Sequence, residues 1–402
     1  MKDTSIPGIQ TVQYSEGPSF LSQIGPLLFL VGIFFLNFFS RIILSPMMPI
    51  VEKDLKMGHG EAGSLFLLIS AGYCVMLMAS GFVSSRLNHR RSIILSSVAV
   101  GSALLIVGLS RHPWGMRLGL IALGMATGLY LPSGIATVTE LVNFKDWGKA
   151  LALHELAPNL SYVAAPLLVD VLLGWFSWHT VLTLFGMVSL LFGTLFVRFG
   201  KGGTSRGKAP NVGNLRVLFR ESSFWIIIAL FSLGIGGSLG VYAMFPLYLV
   251  SERGTDPTWA NSLVGLSRIP AVGAAFLAGW VTDRLGPKQA LRVIFLANGV
   301  MTILLGVVSG SWIVLIIFLQ PMLACSFFPA GFAALSRMSS PSNKNVAVSL
   351  AGSIGFLLGG GAIPAGIGVV GEVGSFSLGF AILGGLLLGG VILTRYLKFT
   401  YD

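Results

Sequence analysis

Twelve apolar runs of about 20 residues recur between residues 25 and 396, and each is long enough to cross roughly 30 Å of hydrocarbon as a helix. A lipid-exposed segment has no water to satisfy its backbone, so only helices and closed barrels can span a bilayer. A barrel predicts short strands that alternate apolar and polar residues. These runs are continuous. The expected fold class is therefore an all-α membrane protein with twelve transmembrane helices. Charged residues make up only 10% of the 402 residues, against about 25% in soluble domains.

The formal net charge is +11, but its distribution argues against nucleic acid. The basic residues collect in alternate loops: Arg86, Arg90 and Arg91; Lys145 and Lys149; the stretch from Arg198 to Arg220; Arg284, Lys288 and Arg292; Arg337 and Lys344; Arg395 and Lys398. Arg111, His112 and Arg117 are a minor exception. This asymmetry is the positive-inside pattern. It predicts a multi-pass protein of the inner (cytoplasmic) or plasma membrane with both termini in the cytoplasm. The first 24 residues are mostly polar and show no signal-peptide pattern, so the first run is read as a retained helix. Cys74 and Cys325 lie within predicted spans and read as small core residues.

Residues 199–222, FGKGGTSRGKAPNVGNLRVLFRES, are the longest polar internal stretch. Their Gly, Ser, Pro and Lys content predicts a flexible cytoplasmic linker with a basic, amphipathic end. It separates a first six-helix bundle (25–198) from a second (223–396), with cytoplasmic tails at 1–24 and 397–402. The loop after the second run reads GFVSSRLNHRRS from Gly81. The loop after the eighth reads GWVTDRLGPKQA from Gly279, 198 residues later. A loop repeated at half the chain length points to two homologous halves.

These loops resemble the signature of the major facilitator superfamily, Gly-x-x-x-Asp-Arg-x-Gly-x-Lys/Arg between the second and third helices. The second copy carries Gly279, Asp283, Arg284, Gly286 and Lys288. In the first, Ser85 replaces the acid and Asn88 the glycine, while Gly81, Arg86, Arg90 and Arg91 remain. The resemblance covers the whole chain and is specific for the superfamily, not for a substrate. It implies two pseudo-symmetric six-helix bundles rocking around a midplane site. It also implies a gating latch built from Asp283, Arg284 and, more softly, Arg86. Plain loop charge is the alternative.

Two arginines fall inside predicted spans, Arg41 and Arg268. A cation at mid-helix costs roughly 3 kcal/mol on insertion scales, and a bound anion would repay it. Asn37, Arg41 and Ser45 are spaced by four and are expected to share one helix face. The context RIILSPMMPIVEKDL resembles the first helix of organic-anion carriers, which implies carboxylate binding by Arg41; the alternative is an arginine snorkelling to headgroups. Carriers of oxalate, monocarboxylates or nitrate also place an arginine in the helix of Arg268. A guanidinium suits a carboxylate or sulfonate because it donates two parallel hydrogen bonds. A structural pair with a buried acid is the alternative. The second arginine of nitrate carriers, in helix two, is missing from SLFLLISAGYCVMLMAS.

Glu155, with Asn159 and Tyr162 on the same face, is the candidate proton site, exchanging with His154 or an arginine. Burial disfavours a charged carboxylate and a nearby arginine favours it, so such a group can load and release a proton. A fixed charge pair is the alternative. Tyr130 in helix four, Tyr242 in helix seven and Gln320 in helix ten are candidate hydrogen-bonding partners of the solute, and helix contacts are their alternative role. Glu140 is read as a gate or surface residue, as are Asp170 and Glu372. The glycine runs GIGGSLG and GSIGFLLGGGAIPAGIG suit close helix approach and bending.

No hydrolytic, redox or Walker constellation appears, so neither an enzyme nor a cofactor is expected. The reading is a monomeric secondary carrier, a proton:anion symporter whose small organic anion bridges Arg41 and Arg268. A proton-driven exporter of drugs or metabolites is the first alternative. The glycine-rich helix-five motif of drug exporters is replaced here by NLSYVAAPLL. A non-transporting membrane sensor or scaffold is the second alternative.

Overall fold

The structure is a computed structural model describing residues 20–207, 209, 219–338 and 344–399. Among these residues twelve helical spans are long and apolar enough to cross a membrane. They are α1 (Phe20–Leu55), α2 (His59–Arg86), α3 (His89–Leu109), α4 (Pro113–Leu141), α5 (Phe144–Leu173), α6 (Trp178–Phe199), α7 (Ser222–Ser251), α8 (Pro257–Leu285), α9 (Pro287–Val307), α10 (Trp312–Met338), α11 (Ala347–Val373) and α12 (Phe376–Tyr396). The α6–α7 connection lies on what is called the linker side below. The α1–α2 and α11–α12 turns lie on the far side.

Seven spans are interrupted near their middles, and the sequence shows why. In α1, α4, α5, α8 and α10 the helix breaks at Ile43, Leu129, Glu155, Arg268 and Ser326. Each break stands two or three residues before a proline: Pro46, Pro132, Pro158, Pro270 and Pro329. Proline has no N–H to donate and its ring pushes away the carbonyl four residues back. In α7 and α11 the interruption is a glycine-rich π-helical turn, Gly236–Gly240 and Leu358–Ala362.

The two halves repeat each other in detail. Asn88 (φ 74°, ψ 163°) and Gly286 (φ 77°, ψ 152°) open α3 and α9 with nearly the same backbone. Only glycine enters that region without strain. Asn88 is held there by its side chain, which accepts from the Arg91 N–H at 2.9 Å. At the same 198-residue offset, Asp54 accepts from Trp178 Nε1 at the start of α6 (3.0 Å), and Glu252 accepts from the Phe376 and Ser377 N–H groups at the start of α12.

Four hydrogen bonds join the halves among the described residues, all at mid-span or on the far side. Gly60 N donates to Glu372 Oε2 (2.9 Å), Asn261 Nδ2 to the Pro46 carbonyl (3.4 Å), Ser45 Oγ to the Tyr242 carbonyl (2.7 Å) and Tyr242 Oη to the Tyr162 carbonyl (3.5 Å). The last two acceptors are carbonyls that Pro246 and Pro166 deprive of their helical donors. Backbones also touch: a Cβ on Gly368 would lie 2.2 Å from the His59 carbonyl, and one on Gly63 2.6 Å from that of Pro364. The halves are thus bound to each other at mid-span and on the far side.

The start of the linker is hydrogen-bonded to the first half. Arg90 N donates to the Gly203 carbonyl (2.7 Å), His89 N to Ser205 (3.1 Å) and Gly207 N to Ser84 (3.1 Å). Gly202 and Gly203 have φ of 75° and 70°, which lets the chain fold back onto the first half. The amphipathic end foreseen for the linker falls largely on residues 210–218, outside the described residues.

Candidate functional site

Arg41 lies two residues before the α1 break and is 7% exposed. Its guanidinium carbon is 3.7 Å from the Tyr73 ring centroid on α2, 4.7 Å from that of Phe356 on α11 and 5.4 Å from that of Phe38. Arg268 is itself the α8 break and is 4% exposed. It lies over Tyr162 on α5 (4.7 Å) and Tyr242 on α7 (5.0 Å). Its Nη2 donates to the Ser238 carbonyl at 3.2 Å, in the π-helical turn of α7, and its Nε has no partner. Among the described residues neither arginine has a carboxylate within ion-pair distance. Buried cations in protein normally pair with acids. Here aromatic faces take that place.

The arrangement is crossed. Arg41 belongs to the first half and reaches Phe356 of the second; Arg268 belongs to the second and reaches Tyr162 of the first. The rings meet edge to face, Tyr73 against Phe356 at 5.1 Å and Tyr162 against Tyr242 at 4.8 Å. Tyr242 lines a small cavity of about 10 Å³ with Arg41, Ser70 and Gly360, room for about one water. Tyr242 therefore stands between the two cations, and both its polar groups are engaged across the halves.

On the linker side of the arginines, Glu155 forms the break of α5 and its side chain is 53% exposed. The neighbouring His154 is 1% exposed and stacks on Phe34 at 4.4 Å. Its Nε2 is 3.0 Å from Tyr130 Oη, and that hydroxyl donates to the Leu30 carbonyl at 2.9 Å. With the Tyr130 proton used there, Nε2 is the donor and Nδ1 the acceptor. Nδ1 has no hydrogen bond and lies 3.6 Å from Glu155 Oε1.

Other expected site residues are placed elsewhere. Asn37 donates to Ser96 Oγ (3.2 Å) and the Thr127 carbonyl (3.4 Å), inside the first half. Each four-residue step turns a helix by about 400°, so the Asn37–Arg41–Ser45 face drifts, and the break at Ile43 turns it further. Gln320 gives its amide to the Gly237 carbonyl (2.7 Å) and Asn298 Oδ1 (3.1 Å), satisfying the π-helical turn of α7 within the second half. Tyr130 is committed to His154 and α1, not to the cleft. Glu140 accepts from Thr204 N, Thr204 Oγ1 and Ser205 Oγ (2.8–3.2 Å) and so holds the linker. Asp283, Arg284 and Arg86 are exposed. Arg284 lies on the Trp280 ring at 4.0 Å, so the expected latch pieces do not bridge the halves here. Tyr73 and Phe356 are the partners that reading the sequence missed. Their role depends on α2 meeting α11, which no local pattern announces.

Twelve spans in two repeated halves, closing around buried arginines, define a membrane carrier of small solutes. The model of the Major Facilitator Superfamily matches residues 30–311 and 241–401, and the chain belongs to that superfamily. It is 23% identical to a probable sulfoacetate transporter (SauU) of Cupriavidus necator, over 91% of each chain. It is 21% identical to a probable nitrate transporter (NarT) of Staphylococcus haemolyticus, covering 68% of this chain and 70% of that one. Among solved structures, it matches an inward-facing, unoccupied bacterial homologue of the human lysosomal transporter Spinster with a TM-score of 0.76, 14% identity, and coverage of 94% and 96%.

Proposed function

We propose that the protein carries a small organic anion, a carboxylate or sulfonate, across the inner or plasma membrane by alternating access, coupled to a proton. The observation that carries this reading is the pair of buried guanidiniums without acid partners at the seam of the halves. An oxyanion arriving in the cleft offers each a stronger partner than a ring face, since charge-assisted bidentate bonds exceed cation–π contacts in a desolvated site. One anion bridging Arg41 and Arg268 would draw the halves together. The similarity to a probable sulfoacetate transporter supports the same class of solute. The missing second arginine in α2 argues against nitrate despite the likeness to a probable nitrate transporter.

Proton coupling is assigned to Glu155 with His154. The acceptor Nδ1 of His154 and the half-exposed carboxyl of Glu155 can share one proton. The basic loops support a cytoplasmic linker and cytoplasmic termini. The carrier acts as a monomer, with bundles at 25–198 and 223–396.

The test is uptake into proteoliposomes under an imposed pH gradient, paired with a melting screen of carboxylates, sulfonates and phosphates. A ligand at 100 times its Kd adds about 2.7 kcal/mol of stability. Stabilisation by an organic anion and accumulation driven by a proton gradient support the reading. Proton-driven efflux instead of uptake would make the protein an exporter, and no flux of any anion would remove the assignment.

A further inference from the structure

The start of α9 and the end of α12 meet on the linker side, and cations gather there. Lys288 Nζ donates to the carbonyls of Arg395 (3.1 Å) and Leu397 (2.8 Å), and Arg292 Nε donates to Thr394 Oγ1 (3.2 Å). Lys288 and Arg292 are four residues apart on α9, so their side chains are neighbours, and like charges at that spacing repel. Arg395 and Lys398 are exposed at the end of α12. Among the described residues none of these four cations has a carboxylate within ion-pair distance. Asp283, the acid nearest to them in the described sequence, is exposed at the end of α8.

The helix end itself does not require this much charge. The carbonyl end of a helix carries about half a negative charge, and Lys288 alone meets it. The first half makes the comparison, because it repeats the contact: Arg90 Nη2 donates to the Phe196 (3.5 Å) and Val197 (3.1 Å) carbonyls at the end of α6. At the same 198-residue offset, Ile94 stands where α9 has Arg292, and Val197 stands where α12 has Arg395. The capping contact therefore forms without the added cations. The cations of α9 also keep donors to spare. Lys288 uses two of its three N–H groups, and Arg292 Nη2 has no partner among the described residues.

The apolar surroundings select the partner. Leu296 follows Arg292 by four residues and Ile392 precedes Arg395 by three, and both are exposed. Apolar side chains thus continue from the cations along both spans. Tyr396 is exposed beside them, as expected where hydrocarbon gives way to headgroups. We propose that the linker-side end of the α9–α12 pair binds the headgroup of an anionic phospholipid, whose phosphate accepts from Lys288 and Arg292 while Arg395 and Lys398 add attraction. A soluble anion would make no use of Leu296 and Ile392; acyl chains lie along them. This end is the one proposed to face the cytoplasm, whose leaflet carries the anionic lipids. The bound headgroup relieves the repulsion between Lys288 and Arg292 and ties α9 to α12.

The test follows the melting temperature of the purified protein in detergent micelles containing phosphatidylcholine, with phosphatidylglycerol replacing it stepwise at fixed total lipid and low salt. A saturable rise is expected. The double variant Arg395→Gln/Lys398→Gln removes two exposed cations whose side chains hold no hydrogen bond or ion pair among the described residues. It should raise the half-saturating fraction about tenfold or more, since each basic residue near the headgroups adds to the attraction. Arg198→Gln/Lys201→Gln removes the same charge at the end of α6 and should leave that fraction unchanged. Inorganic phosphate, titrated in phosphatidylcholine micelles at constant ionic strength, should give no saturable rise. The proposal is overturned if phosphatidylglycerol gives no saturable rise, or if the two double variants shift it equally, which would reduce the effect to overall charge. It is also overturned if inorganic phosphate alone gives a rise that Arg395→Gln/Lys398→Gln weakens, which would make this a site for free anions. Neither variant alters Arg41 or Arg268, so failure here leaves the reading of the central site standing.

Discussion

Arg268 of the second half lies 4.7 Å from the ring centroid of Tyr162 in the first, so a buried cation of one half rests on an aromatic face of the other. Arg41 repeats the relationship over Phe356 at 4.7 Å. The choice of partner matters energetically. Removing one member of a buried ion pair strands the other charge and costs about 3–5 kcal/mol. A ring face contributes about 0.5–2 kcal/mol and strands nothing when the cation leaves. Arginines held in this way can be exchanged onto an incoming anion and returned after its release.

Arg268→Lys keeps the charge and loses the planar fork. If Arg268 binds an oxyanion with two parallel bonds, anion affinity should fall about tenfold or more, while the melting temperature without anion changes little. Calorimetric titration measures the affinity and a thermal melt of the same preparation the stability. Unchanged affinity in a folded variant would remove Arg268 from the site.

Tyr162→Phe and Tyr162→Leu separate the ring from the hydroxyl. Phe preserves the face under Arg268 and should leave the closed far side intact. Leu removes it, costing about 1 kcal/mol, which is roughly a fivefold shift between the two states. Spin labels at exposed Lys56 and Val373, one in each half, would report the shift as a longer distance population in the Leu variant. Equal distributions for the two variants would show that the ring does not hold the seam.

The far-side seam should also depend on Glu372, which accepts from the Gly60 N–H at the start of α2. A carboxylate at a helix N-terminus is worth roughly 0.3–1 kcal/mol. Glu372→Gln keeps the shape and loses the charge, so the same labels should shift toward separation by up to about fivefold. No change would mean that the backbone contacts at Gly63 and Gly368 close that side alone.

The spans were legible in the sequence because hydrocarbon permits few solutions, and the 198-residue repeat was legible because both loops keep Gly81 and Gly279 and Arg86 and Arg284 at that offset; that Asn88 takes the same backbone as Gly286 was not. The two arginines stood out by their cost. Their partners did not. Tyr73 and Phe356 sit in runs with no charged residue nearby, and only the packing of α2 against α11 brings them under Arg41. The contact Gln320 makes was not legible either, because the π-helical turn of α7 leaves carbonyls open, a demand invisible in GIGGSLG. The docking of the linker depends on positive φ at Gly202 and Gly203, which a polar, glycine-rich segment does not distinguish from flexibility.

That docking has its own test. A Cβ at Gly203 would lie 2.7 Å from Thr137 Oγ1 and 2.8 Å from the Arg90 N, and its φ of 70° costs a non-glycine residue about 1–2 kcal/mol. Gly203→Ala should release the segment and speed tryptic cleavage after Arg206 about tenfold, since cleavage tracks the open population when closing is fast. An unchanged cleavage rate would mean that Glu140 holds the linker without the Gly203 turn.

Glu155→Gln tests the coupling itself. Glutamine has nearly the shape of a protonated glutamic acid and can neither take up nor release a proton. If Glu155 and His154 share the coupling proton, accumulation driven by a pH gradient should vanish in proteoliposomes containing the variant. Anion binding and anion–anion exchange should survive, because neither requires net proton movement. A structural role predicts a different pattern. Glu155 is 53% exposed and has no arginine within ion-pair distance, so its replacement strands no buried cation and the melting temperature should hold. His154→Gln gives the complementary result: its loss removes the acceptor at Nδ1 and the support of Tyr130, so both coupling and stability should decline. Proton-driven accumulation, exchange and melting temperature measured on the same preparations decide the assignment. Intact accumulation by Glu155→Gln would show that the proton travels elsewhere or that the protein exchanges anions without one.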